Sequence, residues 1–85
     1  MTEEQAKALI ERFAEKQQGG HFVCPRCGRM AMDAESVTRN ALSRRATVYI
    51  CDACATEEAL EDMLGNRMPL VAWAIAQTPE LWRVE

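Results

Sequence analysis

The sequence predicts a small α+β domain with an N-terminal amphipathic helix, a β-hairpin region and further helices. Three observations carry that expectation. Residues 3–18 repeat their apolar side chains with a helical period, and "TVYI" at 47–50 is β-branched and aromatic, as strands are. Two Cys-x-x-Cys pairs bracket the middle of the chain. At 85 residues the chain lies near the lower limit for folding on core burial alone, so a disulfide, a metal or a partner subunit is expected to staple it. We expect one domain over 1–85, made of an N-terminal helix (1–20), a cysteine-bearing central unit (21–65) and a helical extension (66–85).

Thr2 and Gln5 form a capping-box pattern, and Ala6, Leu9, Ile10, Phe13 and Ala14 define the apolar stripe of a helix over about 3–18. Gly19-Gly20 ends it, since glycine accepts the left-handed backbone common at helix C-termini. "HFV" and "RMAM" read as short strands on either side of the first cysteine pair. "DAESVTRNALSRRA" is polar and ambiguous, and "NALSR" fits a single helical turn or a tight loop. Beyond the second pair, Thr56 is placed to cap a helix with Glu57 and Glu58 in its first turn. Ala59, Leu60, Met63 and Leu64 would be the buried face of that helix and Gly65 its stop. "MPLVAWAIAQ" reads as a buried helix with Pro69 in its first turn, and "TPELW" as a last short turn capped by Thr78. Trp73 is expected in the core and Trp82 at its edge, where an exposed Trp82 would serve as an interface anchor.

Charge is unevenly spread along the chain. Net charge is −3, yet residues 20–50 carry five arginines against two acids and residues 51–85 carry two arginines against seven. The balance is not that of a dedicated nucleic-acid binder. The first residues are charged and amphipathic rather than signal-like, and no apolar run reaches membrane-spanning length, so a cytoplasmic setting is expected. Thiols stay reduced there, and cysteine pairs read as metal ligands or redox centres.

The spacing is Cys24-x2-Cys27, 23 intervening residues, then Cys51-x2-Cys54. Two such pairs complete a tetrahedral four-thiolate site, the arrangement of structural zinc, and one zinc ion on Cys24, Cys27, Cys51 and Cys54 is the expected cofactor. Redox pairs of the thioredoxin kind would need a βαβ pattern, which is missing. Iron is the closer competitor, because "CPRCG" resembles a rubredoxin knuckle, although "CDACA" lacks the matching glycine. His21 is a possible substitute ligand, with a solvent-facing role the simpler reading.

The two pairs differ because they sit on different elements. In "CPRCG" the proline and glycine permit a tight turn whose amides can reach the sulfurs, while "YICDACATEEAL" runs from strand into helix, where unpaired N–H groups favour thiolates. Over residues 21–65 the chain therefore resembles treble-clef zinc fingers (knuckle, β-hairpin, helix), with a zinc ribbon as runner-up. Arg26 and Arg29 would offset the negative charge of such a centre.

There is no Ser/His/Asp set and no Gly-rich phosphate loop, and a closed four-cysteine site has no place for a catalytic water, so a non-enzymatic role without a small-molecule substrate is expected. Two binding surfaces stand out. Glu57, Glu58, Glu61 and Asp62 could meet a basic protein partner, against the simpler reading of a solvated outer face. Arg39, Arg44 and Arg45 could contact phosphates of a nucleic acid, against that of a solvated loop. "CPRCG" with "NALSRRATVYICDACATEEALEDM" and "MPLVAW" also resembles short zinc-binding proteins of bacterial prophages and mobile elements. That resemblance implies a phage-like origin and a host or phage protein as target. Inhibitors of host defence such as anti-CRISPR proteins, which act by binding, are one such class.

Overall fold

Residues 1–20, 22–36 and 39–84 are described by the computed structural model. Helix α1 spans Glu3–Gln18, and its capping box is complete: the Gln5 N–H donates to Thr2 Oγ1 and the Thr2 N–H donates to Gln5 Oε1. Gly20 takes the left-handed φ of 100°, whereas Gly19 stays at a negative φ. Strands β1 (Ala41–Leu42) and β2 (Tyr49–Ile50) pair antiparallel, Ala41 opposite Ile50 and Leu42 opposite Tyr49. Helix α2 (Asp52–Leu64) starts directly after β2 and closes on Gly65, at φ 70°. A 3-10 turn at Leu70–Ala72 and two short helices, α3 (Ala74–Gln77) and α4 (Pro79–Trp82), complete the chain. No helix among the described residues is long and apolar enough to cross a membrane.

The core lies between α1, the hairpin and the C-terminal segment. Ala6, Leu9, Ile10 and Phe13 from α1 meet Val48, Ile50, Leu70, Trp73 and Ile75. Trp82 closes one edge, its ring standing at 84° to that of Phe13 with centroids 5.1 Å apart. Trp82 is buried, so it is not an exposed anchor. The helical stripe of α1 extends one turn further than its apolar residues, to a buried Gln17. Its side-chain amide pairs with the outer edge of β2: Nε2 donates to Tyr49 O (2.7 Å) and Oε1 accepts from Tyr49 N (3.0 Å). One glutamine thus satisfies both backbone groups that a two-stranded sheet leaves open at that position.

Several local expectations are corrected. Among the described residues neither 22–23 nor 29–32 forms a strand; the first pair is a turn closed by Cys24 N–H to Arg29 O (3.0 Å) and Gly28 N–H to Cys24 O (2.8 Å). His21 lies outside the described residues. "NALSR" is neither a helical turn nor wholly a loop, because Ala41–Leu42 is the first strand of the hairpin. Helix α2 begins four residues before Thr56, which caps nothing and donates its hydroxyl back to Asp52 O.

The buried helix expected over "MPLVAWAIAQ" is broken at Trp73, which is extended at φ −64° and ψ 148°. The break frees Ala74 N–H and Ile75 N–H to donate to Arg26 O and Pro25 O, both at 3.1 Å, which ties the C-terminal segment to the first cysteine turn. Thr78 precedes α4, but its hydroxyl donates to Ala74 O rather than capping. Glu3 crosses from the start of the chain to this segment, its two carboxylate oxygens accepting from Leu70 N (2.9 Å) and Val71 N (2.8 Å). Those backbone hydrogen bonds hold its carboxyl below the usual carboxylate range.

Replacing Gln17 by Ala is expected to cost about 2–3 kcal/mol, since both Tyr49 backbone groups lose their partner. Urea denaturation of the folded protein measures it.

Candidate metal centre

Cys24 and Cys27 lie on the tight turn, Cys51 is the N-cap of α2 and Cys54 lies in its first turn. All four sulfurs lie within 4.8 Å of one another, and Cys24, Cys51 and Cys54 are buried while Cys27 is partly exposed. Two sulfur pairs, Cys24–Cys54 and Cys27–Cys51, are separated by 3.8 Å. That is far beyond a disulfide bond of about 2.05 Å. It matches the edge of a tetrahedron whose corners sit ~2.3 Å from a central ion, which is about 3.8 Å. The four-thiol donor set and its spacing fit one metal ion.

The backbone prepares the cluster for negative charge. Cys24 Sγ accepts from the N–H of Cys51 (3.4 Å) and from the turn amides of Cys27 and Arg26. Burial nevertheless pushes the Cys24 thiol up to about 11, and burial also raises Cys54. Burial acts in the same direction on Cys27, but the guanidinium and N–H of Arg29 outweigh it and bring that thiol down to about 7. A cation entering the site therefore displaces protons from buried thiols. Gly28, at φ 78°, makes the turn possible, and a Cβ there would lie 3.1 Å from the Ala74 Cβ.

Four thiolates around a divalent ion leave a net charge of −2, and two arginines stand beside them. Arg29 is drawn to Cys27, which raises its pKa. Arg26 is buried, its side chain 3% exposed, with NH1 on Glu57 Oε2 and NH2 on Glu61 Oε2, both at 2.7 Å. Its Nε lies 3.9 Å from Glu58 Oε2. Burial works against the charge of Arg26, but hydrogen bonds to Glu57, to the Cys54 sulfur and to Glu61 more than restore it and raise its pKa. The guanidinium thus bridges the cysteine cluster and the carboxylates of α2.

This bridge changes the reading of both charged surfaces. Of the four acidic residues singled out on α2, Glu58, Glu61 and Asp62 are at most a quarter exposed and hold other segments, while Glu57 reaches Arg26 from an exposed position. Glu58 is buried, accepting from Ser43 Oγ (2.7 Å) and Arg44 N (2.9 Å) in the hairpin loop. Glu61 also accepts from Met68 N (3.1 Å), and Asp62 holds Arg44 (3.1 Å) and Arg67 (2.7 Å). The three arginines of the middle segment are likewise engaged. Arg39 pairs with Glu35, Arg44 with Asp62, and Arg45 donates to Met68 O (2.6 Å).

Of the residues expected to form the buried face of α2, Ala59 is half-buried but the other three are outside: Leu60 is 52%, Met63 82% and Leu64 80% exposed. Helical spacing made them a stripe, but Cys51 and Cys54 fix which side of α2 faces inward. Arg26 was legible as a charge near the cluster; its three carboxylate contacts were not.

Comparison with protein-family models, with curated proteins and with solved structures finds no match for this chain.

Arg26→Ala is expected to destabilise the protein by about 3 kcal/mol, because it removes the cation facing buried Glu58 and part-buried Glu61. Glu57→Gln, at a half-exposed partner, should cost under ~1 kcal/mol. Chemical denaturation of the two variants measures the contrast, and equal effects would refute the bridging role of Arg26.

Proposed function

We propose that the chain is a non-enzymatic interaction module built on one structural zinc ion, held by Cys24, Cys27, Cys51 and Cys54 in a treble-clef arrangement. The observation that carries this reading is the closed cluster of four sulfurs within 4.8 Å of one another. Four protein thiolates fill a tetrahedral shell and leave no position for a catalytic water, which favours a structural ion. The order of turn, hairpin and helix, with the last two cysteines at the start of α2, favours the treble clef over a ribbon. Zinc is preferred to iron because the second pair opens a helix and lacks the glycine of an iron knuckle.

The biological part of the proposal rests on the sequence resemblance of "CPRCG" and "NALSRRATVYICDACATEEALEDM" to prophage proteins. On that basis the module acts in the bacterial cytoplasm for a phage or prophage, and binds and inhibits a host protein or nucleoprotein complex, such as a defence nuclease.

Elemental analysis of protein purified from bacteria should find one zinc per chain, and a strong chelator or Cys51→Ser should abolish the far-UV helical signal, because metal binding and folding are coupled. A chelated protein that kept its helices would refute the structural ion. For the inhibitory role, expression in a host with an active defence nuclease should raise phage plating, and Cys51→Ser should not. Unchanged plating against the host's defence systems would remove that part alone.

A further inference from the structure

The cysteine cluster is open to solvent on one side. Cys24, Cys51 and Cys54 are at most 1% exposed, while Cys27 is only partly buried. Arg29, two residues further along the same turn, directs its guanidinium at the Cys27 sulfur. Partial exposure beside a cation is the setting of reactive cysteines, whereas buried ones are inert. An oxidant in solution therefore meets Cys27 before the other three.

The remaining sulfurs are not equal as its partner. Cys24 Sγ accepts from the N–H groups of Cys51, Cys27 and Arg26, which engage its lone pairs. The Cys54 sulfur accepts from the Arg26 guanidinium and lies 3.8 Å from that of Cys24. The sulfur of Cys51 lies 3.8 Å from that of Cys27. That gap must close by about 1.8 Å to reach the length of a disulfide bond. Closing it joins the first turn to the start of α2, the same two elements that carry the four cysteines.

We propose that Cys27 is an oxidative modification site: a hydroperoxide oxidises it, Cys51 joins it in a disulfide, and the metal ion is ejected. The ejection rests on the structural-ion reading above, in which the four sulfurs are thiolates. The Cys27 sulfur attacks a peroxide oxygen, so that an S–O bond forms, the O–O bond breaks and hydroxide departs beside Arg29. Cys51 then attacks the Cys27 sulfur; the S–S bond forms, the S–O bond breaks and a second hydroxide leaves. Each sulfur gives up one electron and the peroxide takes up two. The ion keeps only two of its four donors, and a dithiol reductant with added zinc restores the centre.

Limiting hydrogen peroxide added to the intact protein, with metal content measured on the same sample, tests this. Trypsin cuts after Lys16, Arg26, Arg29 and Arg45, and an Asp-specific protease cuts before Asp52, so each cysteine falls on its own peptide. Mass spectrometry of the digest should find the Cys27–Cys51 disulfide in about ten-fold excess over any other pairing. A chromogenic chelator should register metal release in step with it. Brief alkylation of the unoxidised protein with iodoacetamide should label Cys27 first. A dominant Cys24–Cys27 or Cys51–Cys54 disulfide, first labelling at another cysteine, or thiols that survive excess peroxide, overturns the proposal. Metal retained after the Cys27–Cys51 bond has formed overturns the ejection step. A sample that carries no metal removes the structural-ion reading and the ejection step with it, while the peptide map still decides the pairing.

Discussion

Four cysteine sulfurs converge within 4.8 Å inside a chain of 85 residues, and most of the architecture serves that convergence. Bringing thiolates together is unfavourable twice over, since like charges repel and burial removes the water that would screen them. The chain answers with oriented N–H groups and two arginines. The amides of the first turn and of Cys51 point at Cys24, and Arg29 and Arg26 approach the cluster from two sides. A metal ion held by the four sulfurs would supply the remaining positive charge, and the tetrahedral spacing of the donor set fits one.

Arg26 extends this electrostatic centre outward. A buried guanidinium needs carboxylates, and α2 provides three of them within five residues. Once Glu57, Glu58 and Glu61 are committed to that side, the helix has no freedom to turn its leucines inward. Glu58 and Asp62 then fix the hairpin loop through Ser43 and Arg44, and Glu61 fixes the chain beyond the helix through Met68. The basic middle segment and the acidic final third, opposite in charge along the sequence, are largely each other's partners in space.

The C-terminal segment shows the same economy of backbone groups. Breaking the helix at Trp73 places that ring in the core and gives the carbonyls of Pro25 and Arg26 donors from Ile75 and Ala74. Glu3 accepts from Leu70 and Val71, and Gln17 completes the open edge of β2. Helix α1 therefore contributes polar closure at both ends as well as its apolar stripe.

Local rules determined what depends on neighbours along the chain. The Thr2–Gln5 box, the period of α1, the strand at Tyr49–Ile50 and the Cys-x-x-Cys spacing within each pair were all legible, because each involves residues within a turn or a strand of one another. The start of α2 lies four residues before Thr56 because its N-cap is Cys51, which gives no polar side-chain signal and whose own N–H donates to Cys24 Sγ. Hydrophobic period alone assigned Leu60, Met63 and Leu64 to the core. Only the tertiary structure could reverse that, because Cys51 and Cys54 must face Cys24 and Cys27 across 23 residues of chain, and the same rotation delivers the glutamates to Arg26. Periodicity reports that a helix has two faces; which one is buried was decided by the cysteine cluster and the buried charge beside it.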